Sequence, residues 1–152
     1  MSQGKSNTPF IVRVRQRFAS RTDELHRVRQ VVESEAMEFG FDSETAFRLA
    51  LAVDEACTNI IKHAYEGNPA RSFDLEIATA DNQFRIVLTD EGKGFAQSKL
   101  PRLDMKHYFE RMCRGGLGVH IMKLVMDDVD YDVASDKVNR LSMTKYRRAA
   151  NA

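Results

Sequence analysis

Three short runs of residues carry groups that could do chemistry together. The first is Glu55-Ala56-Cys57-Thr58-Asn59. Around it Ala46, Ala50, Val53, Cys57, Ile60 and Ala64 recur at helical spacing and form one apolar stripe. On such a helix Glu55 and Asn59 fall roughly opposite the stripe, about 40° and one turn apart, so two polar groups project together from a packed support. An Asn carbonyl oxygen is a hard ligand suited to Mg²⁺, which prefers oxygen and keeps several waters. A carboxylate beside it can accept a proton from an attacking hydroxyl. Taken alone, the pair reads more readily as two solvent-exposed polar side chains.

The second run is Asp90-Glu91-Gly92-Lys93-Gly94, directly after an alternating segment. An ionised Asp only accepts hydrogen bonds, so Asp90 can receive one from the exocyclic amino group of adenine. Gly92 and Gly94 would let the backbone approach the base closely; an ordinary turn has the same composition. The third run, Arg114-Gly115-Gly116-Leu117-Gly118, opens an apolar stretch. Glycines before a helix N-terminus expose N–H groups, the helix dipole favours phosphate there, and Arg114 adds a fixed positive charge. A flexible hinge is the alternative. The chain has no G-x-x-x-x-G-K-[ST] loop and no H-R-D with D-F-G set, which excludes P-loop and protein-kinase folds.

The supports for these runs follow from periodicity. Phe10, Val12, Val14 and Phe18 alternate with Arg13, Arg15 and Arg17, a strand with one buried face and either a solvated or a ligand-binding arginine row. Leu25, Val28, Val32, Ala36 and Phe39 mark a helix over Thr22–Phe39, stopped by Gly40. Asp42 or Ser43 can cap a second helix running to about Tyr65, ended by Gly67-Asn68-Pro69. Phe73, Leu75 and Ile77, a turn at Asp81-Asn82, then Phe84, Ile86 and Leu88 make a hairpin. Val129, Tyr131 and Val133 make a further strand, and Leu141 and Met143 a last one. Gly116–Met126 is apolar nearly all round and predicts a buried helix. Strands with one wet and one dry face, and three helices to cover the dry one, predict an α+β chain. The architecture is a two-layer α/β sandwich with a mixed, mainly antiparallel sheet and helices on one face.

Residues 10–148 read as a single domain after a flexible N-terminus, residues 1–9. Residues 95–114 fit neither period and read as a mobile lid, since a loop of about 20 residues in a compact domain is usually functional or disordered. Lys plus Arg number 23 and Asp plus Glu 22, a net charge of +1, which gives no support for direct binding to nucleic acid or to a membrane surface. No apolar run approaches the roughly 20 residues that span a bilayer, and Met1–Pro9 has no signal-peptide h-region. Cys57 and Cys113 lack metal-ligand spacing, and Cys57 reads as a buried thiol; a reducing cytoplasm is the expected setting.

In their order and spacing the three runs resemble one family. Ala52-Val53-Asp54-Glu55-Ala56-Cys57-Thr58-Asn59-Ile60-Ile61-Lys62-His63-Ala64-Tyr65 resembles the N-box of the GHKL ATPases. Within these it is similar to the RsbW and SpoIIAB family of anti-sigma factors with serine kinase activity. Leu88 to Phe95 resembles that family's first glycine box, and Gly115 to Val129 its second. The resemblance implies the Bergerat fold and binding of ATP or ADP with Mg²⁺. It implies that Asn59 holds Mg²⁺, that Glu55 is the general base for a protein serine hydroxyl, and that Asp90 binds the adenine amino group with Gly92 and Gly94 shaping the pocket. Arg114, Gly116, Leu117 and Gly118 would contact phosphates.

The implied partners are an anti-anti-sigma factor of the STAS fold and a sigma factor, with a homodimer as a further expectation. An ATP-binding adaptor without kinase activity is the second reading, and a partner switch with a non-transcriptional target belongs with it. A histidine-kinase catalytic domain is a third, disfavoured because no phospho-accepting helix pair precedes the domain. One departure stands out. Many GHKL proteins carry a Gly-Thr pair at the start of the last strand, where this chain has Val138-Asn139-Arg140-Leu141-Ser142. That implies a lower nucleotide affinity unless another hydroxyl substitutes.

Overall fold

The computed structural model describes residues 8–92, 122, 124–133 and 138–148. Residues 1–7, Gly94, the proposed lid, Cys113 and the run from Arg114 to Gly118 lie outside the described residues. The elements in chain order are β1 (Ile11–Ala19), a 3-10 turn (Thr22–Glu24), α1 (Leu25–Phe39), α2 (Ser43–Asn59), a π-helical turn (Ile60–Ala64), β2 (Ser72–Ala80), β3 (Gln83–Asp90), β4 (Asp128–Val133) and β5 (Asn139–Tyr146).

The five strands form one sheet in the order β1-β2-β3-β5-β4, and all four pairings are antiparallel. Alternation decides which face is dry. Phe73, Leu75 and Ile77 of β2, Phe84, Ile86 and Leu88 of β3, and Leu141 and Met143 of β5 are buried. Val28, Val32 and Ala36 of α1 and Leu49, Ala50, Val53 and Cys57 of α2 join them in one core, so the two helices cover a single face of the sheet. The other face carries cross-strand ion pairs. Arg15 lies 3.1 Å from Glu76 and Arg17 3.0 Å from Asp74. The Arg13 guanidinium donates to the Thr79 hydroxyl at 2.9 Å. The arginine row is thus engaged by its neighbours on β2.

Punctuation residues act as their chemistry requires. Gly40 ends α1 at φ +112°, a left-handed conformation that costs glycine little. Asp42 rather than Ser43 caps α2, its carboxylate accepting from the Thr45 N–H at 2.8 Å. The β2–β3 hairpin turns at Asp81, whose φ is +49°, with Ala80 facing Gln83 across the loop.

Three details differ from the periodic reading. In β1 the register slips between Val12 and Val14, and a bulge re-aims side chains: Val12 is 44% exposed although its spacing puts it in the buried row. The buried face of α2 is wider than the stripe, because Leu49, Ala52 and Ala56 are also buried. Of the stretch predicted as an all-round buried helix, Met122 and Met126 are buried but Leu124 is 83% exposed. The helical backbone at Met122, Leu124 and Val125 therefore turns an apolar side chain outward. No described helix is long and apolar enough to cross a membrane.

Candidate functional site

Strand β3 ends with a carboxylate in an apolar phase. Phe84, Ile86 and Leu88 face the core, and Asp90 is the next residue in that row, only 6% exposed. Burial pushes its carboxyl group above the usual carboxylate range, opposed by hydrogen bonds from Asn139 and Gly92 and by the positive charge of Arg71. An acid in such a place needs partners, and β5 supplies one. Asp90 and Asn139 are direct cross-strand neighbours, and Asn139 also sits in the core-facing row of its strand, 1% exposed. The Asn139 amide donates to Asp90 Oδ1 at 2.9 Å and to the Gly92 carbonyl at 3.2 Å. The Gly92 N–H donates to the same Asp90 Oδ1 at 2.8 Å. Among the described residues both hydrogen bonds to Asp90 therefore land on one oxygen.

The turn after Asp90 is pinned from the helical side. A side chain at Gly92 would place its Cβ 2.6 Å from both the Cβ and the carbonyl oxygen of Ala64, the last residue of the π-helical turn. The sequence explains Gly92 by approach of a base; in the fold it is also required by approach of Ala64. The adjacent Tyr65 is 6% exposed. Its hydroxyl donates to the Ser72 carbonyl at 2.7 Å and accepts from the Glu91 N–H at 2.8 Å. Arg71 lies 5.0 Å from the centre of the Tyr65 ring and donates to the Glu91 carbonyl at 3.1 Å. Thus the end of the helix carrying Asn59 and the end of the strand carrying Asp90 are locked together.

Glu55 and Asn59 are both half-buried on α2, consistent with side chains at the margin of the packed face. The neighbouring Asp54 is held by Arg29 of α1 at 2.5 Å, and Thr58 donates back to the Asp54 carbonyl at 2.8 Å. Directly after Asn59 the helix widens into the π-helical turn. Such turns are rare and recur at functional sites. Among the described residues no group of three or more His, Cys, Asp or Glu side chains gathers to hold a metal. A Mg²⁺ ion here would therefore lean on Asn59, water and ligand phosphates, a mode usual for that ion. Cys57 is fully buried, and burial raises its thiol well above the ordinary range, which suits a core filler rather than a nucleophile. A cavity of about 540 Å³ lies at the far end of the sheet among Ile11, Glu35, Phe39, Asp81 and Arg147, away from Asp90.

Sequence reading misses Tyr65 and Arg71 as supports, and notes the segment around Asn139 only for what it lacks. Tyr65 closes the first motif, which is its one visible signal; Arg71 has none. Asn139 becomes visible only when β3 and β5 are paired.

The chain resembles known proteins over most of its length. The chain is 28% identical over 123 residues to the serine-protein kinase RsbW of Bacillus licheniformis, covering 78% of this chain and 76% of the relative. It is 30% identical over 126 residues to the protein of that name from Bacillus cereus, covering 78% and 75%. A solved chain from the SiaB–SiaC complex of Pseudomonas aeruginosa shares the fold, with a TM-score of 0.56 and 10% identity over 88% of this chain and 89% of that one. The description "Histidine kinase-like ATPase domain" matches residues 18–145, and the chain belongs to the histidine kinase-like ATPase family.

Proposed function

We propose that the chain binds ATP with Mg²⁺ and transfers phosphate to a serine hydroxyl of a partner protein, an anti-anti-sigma factor of the STAS fold. In its other state it holds a sigma factor. The observation that carries the nucleotide part is the buried acceptor at the end of β3: Asp90, 6% exposed, with its bonds among the described residues on Oδ1. A hydrogen-donating ligand edge suits such a group. The kinase part is supported by relatives named as serine-protein kinases, matched over about three quarters of their length.

Bound ATP with its metal supplies a transferable phosphoryl group, and catalysis of such transfer rests mainly on positioning and charge stabilisation. Within this chain Asp90 orients the base and Gly92 keeps the following turn close to the helix. Asn59 offers an oxygen to Mg²⁺. Glu55, one helical turn away on α2, takes the proton from the attacking serine. Arg114, Gly116, Leu117 and Gly118 are assigned to the phosphates, and Gly94 to the base pocket, on their motifs.

The test pairs ATP titration by calorimetry with transfer of labelled phosphate to STAS proteins from the same cell. Glu55→Gln should leave ATP affinity unchanged and lower transfer by roughly 10²–10⁴-fold, the range for loss of a general base. Asn59→Ala should reduce both Mg²⁺-dependent binding and transfer. Equal transfer by wild type and Glu55→Gln removes Glu55 as the base. Wild-type binding of ATP with no transfer to any STAS protein replaces the kinase by the adaptor.

A further inference from the structure

Asn139 has more hydrogen-bonding capacity than the fold uses. Its side chain is 1% exposed. Its Nδ2 donates to two groups that can only accept, Asp90 Oδ1 at 2.9 Å and the Gly92 carbonyl at 3.2 Å. That fixes the orientation of the amide, since a flip would set Oδ1 against two acceptors. Its Oδ1 is then buried without a hydrogen-bond partner among the described residues. Buried polar atoms are nearly always paired, and an exception calls for an unseen partner. Ser20 Oγ and Arg85 Nε are also unpaired among the described residues, but only Asn139 is joined directly to Asp90. This acceptor belongs to the side chain bonded to Asp90, whose own bonds among the described residues both fall on Oδ1.

We infer that Asn139 is the base-specificity residue of the nucleotide site, forming with Asp90 an acceptor-only pair that selects a 6-aminopurine and rejects a 6-oxopurine. This rests on the nucleotide reading above and assigns a residue to it. An exocyclic amino group offers two hydrogens, and the Asp90 carboxylate and the Asn139 carbonyl oxygen can each take one, the latter directly or through one water. A 6-oxopurine brings a third acceptor against the pair and has only the N1 hydrogen to offer on that edge, so one of the two acceptors is left without a donor. Sites built to hydrogen-bond a donor reject analogues lacking it by large factors, up to 10⁴–10⁵. The amide also does what a lone hydroxyl cannot: one group spans the carboxylate and the backbone carbonyl two residues later. The chain thus keeps an adenine site without the Gly-Thr pair.

The experiment is calorimetric titration of the full chain with ATP and with inosine triphosphate, which differ in the 6-substituent of the purine and in the hydrogen that N1 then carries. Wild type should prefer ATP by about 10²-fold or more. Asn139→Ala should bind ATP at least about 10-fold more weakly and bring the two affinities closer together. Asn139→Thr, which keeps one donor and one acceptor, should restore part of the preference. The Thr variant also serves if the Ala variant fails to fold. A wild-type ratio near one overturns the inference. So does an unchanged ratio in a variant whose melting temperature matches wild type, while ATP binding in that case keeps the nucleotide reading intact. Absence of ATP and ADP binding by folded wild type overturns both.

Discussion

Replacing Gly92 by Ala separates two explanations of that glycine. If it serves only to let a base approach, the variant folds normally and loses nucleotide. In the fold, however, the new Cβ would lie 2.6 Å from the Ala64 Cβ, 2.6 Å from its carbonyl oxygen and 2.8 Å from its carbonyl carbon, against ordinary contact at 3.4–4 Å. Two of those atoms are backbone, which cannot rotate away, and the Asn139 and Tyr65 hydrogen bonds hold the opposing turn in place. Overpacking of a rigid site costs about 1–3 kcal/mol, and backbone overlap puts this case in the upper half of that range. For a chain of this size each kcal/mol moves the melting temperature by about 2–4 °C, so Gly92→Ala should melt about 4–12 °C lower without any nucleotide present. Thermal unfolding followed by circular dichroism measures it. Adding Ala64→Gly removes the Cβ clash but not the carbonyl one, so it should recover only part of the loss. A single variant melting within 1 °C of wild type, by roughly the scale above, would refute the packing argument.

Other outcomes follow from the same geometry. Burial raises the Asp90 carboxyl group above its ordinary value of 3.8, against the Asn139 and Gly92 donors and Arg71. A raised carboxyl contributes stability that is present below the unfolded value and lost as pH rises through the folded one. The stability of wild type relative to Asp90→Asn should therefore fall as pH rises from 3.8 through the Asp90 midpoint; urea midpoints that move the other way would contradict it. Tyr65→Phe strands the Glu91 N–H and the Ser72 carbonyl and should cost about 1–3 kcal/mol in urea unfolding; an unchanged midpoint would show that water replaces the hydroxyl. The Arg15–Glu76 pair is exposed on the arginine side, so a double-mutant cycle should return a coupling of only about 0.2–1 kcal/mol.

The sheet and its two long helices are legible in the sequence because alternation and helical spacing report which side of an element is dry. Phe84, Ile86 and Leu88 are all buried as their spacing requires. The exceptions arise from geometry that periodicity does not carry. A bulge exposes Val12, and the inner edge of α2 includes Ala52 and Ala56 because small side chains lie close against the core. Asp90 is legible by motif, as is the Glu55–Asn59 spacing. The partnership of Asp90 with Asn139 is not, since it depends on strand register between residues 49 positions apart. Tyr65 and Arg71 are hidden for the same reason: each acts on Glu91 at a distance along the chain.

The π-helical turn over Ile60–Ala64 makes the helix tolerant of length at one point. A π turn carries one residue more than the α turn it replaces. The widened turn absorbs that residue, so Tyr65 keeps nearly the phase it would have at the end of a continuous α-helix. A chain built on this plan with one residue fewer between its Asn and Tyr can therefore close the gap as an α turn and still bring its Tyr to the strand end. The two ends of the site stay coupled through such a change, because the contacts of Tyr65 with Ser72 and Glu91 depend on that phase and not on the residue count.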